Sequence, residues 1–189
     1  MKTSLKPLLY SFIMLISCVS IAQNKNYQLE TQYMNCMYGI FEDNGVKLQK
    51  LIKKAEQQLI DTKLLKDTSG ESYIALFQNI EEAVKGNMGN LEISDYVIKG
   101  MSNNKKIKEY MECMNGLMES AEFKESKLSK FIQLSSSGNN NPDLKTLANK
   151  LLAIFEPKDF SNDFYKYLTF SFLDKFNKAN KTGVNASKG

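Results

Sequence analysis

The chain of 189 residues has no histidine, no arginine and no tryptophan, and only three prolines and three cysteines. Each shortage removes a class of chemistry. Without histidine, no side chain has an ordinary pKa near neutrality, and the commonest metal ligand is missing. Ser-His-Asp and Cys-His nucleophiles and histidine-containing zinc sites are excluded. Without arginine there is no planar fork to grip phosphate or carboxylate through two hydrogen bonds. The formal net charge is only +4. Nucleic-acid binding needs cations clustered along one face, and Lys105-Lys106-Lys108 reads as the wet start of a helix. No nucleic-acid partner and no cofactor are expected.

Long apolar runs are also scarce, and the one that exists is N-terminal. Lys2 and Lys6 precede a run from Leu8 to Ala22, interrupted only by Ser11, Ser17 and Ser20. Ser20-Ile21-Ala22 gives a small-x-small cleavage site before Gln23, so residues 1–22 read as a signal peptide. The same segment has a second reading. Leu15-Ile16-Ser17-Cys18 resembles a bacterial lipobox with Cys18 as the lipidated residue, although Val19–Ala22 continue the apolar run past it. Either signal leads out of the cytoplasm, to the periplasm or the medium in the first case and to an outer-membrane lipoprotein in the second. No later run approaches the about 20 residues of a spanning helix, so no membrane span is expected.

Apolar residues in the remaining chain recur at helical spacing, and no segment alternates with period two between turn signals. The spacing predicts an all-α single bundle of about seven helices over 23–177, with a polar, disordered tail at 178–189. Helices are expected from about Tyr27 to Phe41 and from Val46 to Ile60. The next runs from Gly70 to Lys85, started by a capping box at Thr68-Ser69-Gly70-Glu71. A short helix capped by Ser94 ends at Gly100. Further helices run from Asn104 to Ala121, from Phe123 to Leu134, from Asn141-Pro142 to Phe155, and from Asp159 to Asn177.

Two stretches are near copies. Tyr33-Met34-x-Cys36-Met37-x-Gly39 aligns without gaps on Tyr110-Met111-x-Cys113-Met114-x-Gly116, and Lys47-Leu48-x-Lys50-Leu51-Ile52 matches Lys127-Leu128-x-Lys130-Phe131-Ile132. This order predicts two pseudo-repeated halves, about 28–86 and 104–177. In an exported chain Cys36 and Cys113 are expected to pair as a disulfide, both facing inward, with Gly39 and Gly116 letting the two backbones approach. Buried free thiols and a redox or metal role are the competing readings. The absence of CxxC and of histidine counts against the last.

Other patterns have plainer explanations. Asp61, Asp67 and Glu71 lack calcium-loop spacing. The pairs Glu42/Asp43, Glu81/Glu82 and Asp159/Asp163 read as solvated or helix-end charges rather than acid–base pairs. Met34, Met37, Met111, Met114 and Met118 read as core, with an adaptable groove as the alternative. The last helix carries seven aromatics, more than one stripe holds. Phe164, Tyr167, Phe170 and Phe172 are therefore candidates for a partner-facing surface, unless the helix is wrapped on several sides.

Together, Ile21-Ala22-Gln23, the paired cysteine helices, Leu65-Lys66-Asp67-x-Ser69-Gly70-x-Ser72-Tyr73 and Asp159-Phe160-x-x-Asp163-Phe164-Tyr165 resemble small exported all-α proteins of Bacteroidota that have two cysteines and no assigned activity. The resemblance implies an envelope or secreted location and no site. The expected function is non-catalytic, through contact with a protein partner. A carrier of an apolar small ligand between helices is the alternative.

Overall fold

Nine α-helices and one 3-10 turn, with no strand, occupy the residues described by the computed structural model, 27–86, 88–136 and 144–186. The signal segment, Cys18 and the Asn141-Pro142 cap lie outside the described residues. In chain order the helices are α1 (Gln28–Tyr38), α2 (Val46–Asp61), α3 (Gly70–Gln78), α4 (Ile80–Lys85), α5 (Ile93–Gly100), α6 (Asn104–Met118), α7 (Lys127–Ser136), α8 (Leu144–Leu152) and α9 (Asp163–Ala186). The 3-10 turn is Pro157–Ser161. No described helix is long and apolar enough to cross a membrane.

Local chemistry moves several boundaries from where spacing alone puts them. The third expected helix is broken at Asn79, whose side-chain amide donates to the Ala75 carbonyl at 2.9 Å. A short polar side chain that bonds its own backbone competes with the helical ladder, and α4 restarts at Ile80. The cap of α3 is Ser69 rather than Thr68: its hydroxyl accepts from the Ser72 N–H, while Asp67 accepts from the Ser69 N–H. Ser94 does not cap α5. Its N–H donates at 2.9 Å to the Asp174 carboxylate, so α9 supplies the anion to that helix end. The seventh helix starts at Lys127, where the Ser126 hydroxyl accepts from the Ser129 N–H. Pro157 opens the 3-10 turn as well as ending the chain direction of α8. The last helix does not stop at Asn177 before a disordered tail but runs to Ala186. It is carried past that point by an i,i+4 pair of Lys178 with Asp174 and by Asn177 donating to the Gly89 carbonyl.

Helix α9 is the axis of the molecule. It packs against α1, α2, α4, α5 and the 3-10 turn. Phe164 and Phe170 are fully buried, Tyr167 is nearly so, and Phe172 is half-buried. The surplus of aromatics therefore faces inward on several sides and is not a docking surface. Around α9 the rings interlock: Tyr73 stacks on Phe160 at 4.7 Å, and Phe155 and Phe164 meet Tyr165 edge-on at 4.9 and 5.0 Å. Each such pair adds about 0.5–1.5 kcal/mol beyond area burial. Gly70 lets α3 sit directly on the Pro157 backbone, where a Cβ would overlap the proline carbonyl.

The cysteine helices meet as expected, with a Cys36–Cys113 disulfide and Cα atoms 5.7 Å apart. The expected inward orientation holds only for Cys36, which is buried, whereas Cys113 is exposed. Helix α6 rests on the body along one narrow edge, chiefly α1, and buries only Met114 and Leu117. Met111 falls off that edge and is 50% exposed. Neither glycine marks a close approach: a Cβ on Gly116 would meet nothing, and one on Gly39 would meet only its own helix. The cysteine pair has a neighbour at the same sequence spacing, since the Tyr33 and Tyr110 phenols lie close enough to influence each other electrostatically. Beyond these contacts the halves differ, since α2 has 16 residues and its counterpart α7 has 10.

The buried phenols set an alkaline limit. Burial pushes Tyr38 and Tyr167 up to about 12, and pushes Tyr33, Tyr73 and Tyr165 up as well. These groups keep their protons in the folded state and lose them near pH 10 when unfolded. The folded state then binds more protons above pH 10, and stability falls as pH rises. Stability should be level below pH 10 with respect to these groups and decline steeply between pH 10 and 12. Tyrosinate absorbance should rise there in one cooperative step together with loss of helical circular dichroism. A gradual, independent tyrosine titration with the helix signal intact would contradict this.

Candidate functional site

Three separate stretches converge on one cleft of 560 Å³: the first turn of α1 (Tyr27–Gln32), the loop between α6 and α7 (Ser120–Lys127), and the 3-10 turn with the start of α9 (Glu156–Tyr165). Its floor is built on Asp159, which is 1% exposed. The local reason is a turn-capping exchange. The Glu156 N–H donates to Asp159 Oδ2 at 2.7 Å, closing a capping box across the 3-10 turn. The same oxygen receives the Lys127 ammonium at 2.7 Å, and Oδ1 receives the Tyr27 hydroxyl at 3.2 Å.

The cations of the cleft are already engaged. Lys127 also holds Glu156 at 3.0 Å, and Lys158 holds Glu156 at 2.8 Å. Burial alone would lower the Lys127 ammonium, but its hydrogen bonds to Asp159 and Glu156 outweigh that and hold it above its ordinary value. Hydrogen bonds from Lys158 and Lys127 bring Glu156 down to about 2. Burial, followed by the Asp159 charge, raises Tyr27.

The second buried acid is Glu30, 6% exposed. It accepts a hydrogen bond from the Tyr165 hydroxyl at 2.8 Å and has no cation partner among the described residues. Burial, then the Glu30 charge and hydrogen bond, push Tyr165 up, so the phenol stays a donor. The Tyr27 and Tyr165 rings stand edge-to-face at 6.1 Å in the same cleft.

This constellation is absent from the sequence-level candidates. The sequence reads Asp159 and Asp163 alike as solvated or helix-end charges, which holds for the exposed Asp163, outside the cleft, but not for the buried Asp159. Its real partners, Tyr27 and Lys127, are far away in the chain. The aromatic candidates Phe164, Tyr167, Phe170 and Phe172 are core, and the cysteines lie outside the cleft lining. No group of three or more acidic or cysteine side chains placed to hold a metal occurs among the described residues.

A second cleft of 740 Å³ lies between the end of α2 and the α3–α4 pair, lined by Leu64, Leu65, Asp67, Ser69, Ser72 and Asn79 among others. Three of its polar side chains, Asp67, Ser69 and Ser72, are spent on the α3 cap. Ser72 Oγ accepts from the Lys66 N–H at 2.8 Å, and Asp67 takes both the Ser69 N–H and its hydroxyl. No protein-family model matches the chain, and comparisons with curated proteins and with solved structures return no match.

Proposed function

We propose that this is an exported, non-catalytic helical protein that works by holding a protein partner at the cleft formed by residues 27–32, 120–127 and 156–165. The observation that carries this reading is that the cleft is built before anything enters it. Asp159 fixes Tyr27, Lys127 and the Glu156 backbone at once, so its polar groups need little ordering on binding. The signal-like N-terminus and the disulfide support export to an oxidising compartment. The carrier reading is weaker, because interlocked rings fill the interior around α9.

The test places a photo-crosslinking residue at Gln32, exposed on the cleft rim, and another at Lys53, exposed on α2 away from it. Irradiated in the producing cell, the Gln32 position should give one dominant protein adduct that the Lys53 position does not. No adduct from Gln32, or the same adducts from both, would overturn the proposal.

A further inference from the structure

The cleft has a charge preference that its own residues leave unmet. Four carboxylates line it, Glu30, Glu122, Glu156 and Asp159, against the ammonium groups of Lys127 and Lys158. Both lysines are consumed by Glu156 and Asp159. Glu30 and Glu122 are left with no ion pair among the described residues, and of these Glu30 is 6% exposed. A carboxylate held away from water costs free energy unless a cation or several hydrogen bonds compensate it. One phenol is all that Glu30 receives among the described residues.

Resting on the cleft reading above, we infer that the cleft is a receptor for a primary ammonium group, with Glu30, held in place by the hydroxyl of the buried Tyr165, as its anion and the half-buried ring of Tyr27 beside it. Aromatic faces attract cations, the more so when water is excluded. A volume of 560 Å³ is ample for a lysine side chain or a chain amino terminus and lies within the range of small-ligand pockets. A carboxylate-bearing ligand would meet Glu30 and Glu122 as like charges, with both lysines already committed. The ammonium docks by hydrogen bonding, and no covalent step is involved.

The test titrates the purified disulfide-bonded protein, followed by amide NMR shifts, with four probes. Nα-acetyl-lysine methylamide carries the side-chain ammonium alone, and alanyl-alaninamide carries the chain-terminal ammonium alone. Nα-acetyl-norleucine methylamide is the uncharged isostere, and glutarate carries the opposite charge. At least one ammonium probe should bind, with shifts concentrated at residues 27–32, 126–127 and 165, and which of the two binds identifies the source. Norleucine and glutarate should not bind there. Glu30→Gln can still accept from Tyr165 and should weaken binding about tenfold or more, as loss of a charge-assisted hydrogen bond does. Gln32→Lys, an exposed rim change with no folding risk, places a competing ammonium beside the site and should weaken binding too, whereas Gln32→Glu should strengthen it.

Equal binding of the lysine and norleucine probes, binding of glutarate, shifts away from the cleft, or indifference to Glu30→Gln and Gln32→Lys would each overturn the inference. A dominant crosslink at Gln32 with no ammonium binding would remove this inference and leave the binding cleft standing. Ammonium binding with no crosslink would do the reverse.

Discussion

A protein in which Cys36 and Cys113 are both serine should be less stable than the bridged form by about 4–4.5 kcal/mol, the chain-entropy value for a loop of this length. The bridge spans 77 positions, so its loss frees a long segment of the unfolded chain. Helix α6 has little else to hold it. Only Met114 and Leu117 of its residues are buried, and burial of two such side chains gives about 3–6 kcal/mol before the entropy of ordering the helix is set against it. The effect should therefore have two parts. The midpoint of thermal unfolding should fall by roughly 8–18 °C for a domain of this size. Amide exchange in α6 should also speed up more than in α2 or α9, since the helix can leave α1 while the aromatic core stays intact. Cys113 is an exposed residue, which leaves the bond open to dithiols, and mild reduction of the natural protein should reproduce both parts. Unchanged denaturant midpoints in the double variant, or uniform exchange across α1, α6 and α9, would show that α6 is held by its side chains.

The reading of the sequence succeeded where one element carries its own signal. The stripe of Leu48, Leu51, Ile52, Ala55 and Leu59 gives α2 with its buried face, and all five are buried. Helix α6 starts at Asn104, where the spacing puts it. The cysteine pairing was legible because two cysteines in a chain expected to be exported leave few options. It failed where a property depends on which helix lies in the middle. The aromatics of α9 outnumber one stripe because five neighbouring elements surround it, and a sequence window cannot distinguish a helix wrapped by its own chain from one awaiting a partner. The cleft was illegible for a related reason. Glu30 meets Tyr165 across 135 positions and Tyr27 meets Asp159 across 132. Judged from near neighbours, Asp159 beside Asp163 passes for a solvated charge, because the groups that bury it lie elsewhere in the chain.

Replacement of Asp159 by alanine should cost about 3–5 kcal/mol, the cost of removing one member of a buried, hydrogen-bonded ion pair. Three donors would lose an acceptor together: the Tyr27 hydroxyl, which keeps the Lys158 carbonyl, the Lys127 ammonium, which keeps Glu156, and the Glu156 N–H. The first two can turn toward water, because Lys127 is 29% exposed and Tyr27 is half-buried, but the backbone N–H cannot turn. The 3-10 turn should lose its closing contact, and Phe160, the next residue, is the one stacked on Tyr73 in the core. The loss should thus reach the interior, read as reduced near-ultraviolet circular dichroism with helical content largely kept. Asn in place of Asp159 retains one acceptor and turns an amide donor toward the others, so its cost should fall between those of wild type and alanine. Lys127→Met should cost less than Asp159→Ala, since Asp159 keeps two of its three donors. The two changes combined should cost less than their sum, because each removes the same ion pair. Strict additivity would mean that Lys127 and Asp159 stabilise the fold independently, and the cleft would then be a crevice whose charges happen to be close rather than a site held in shape by one carboxylate.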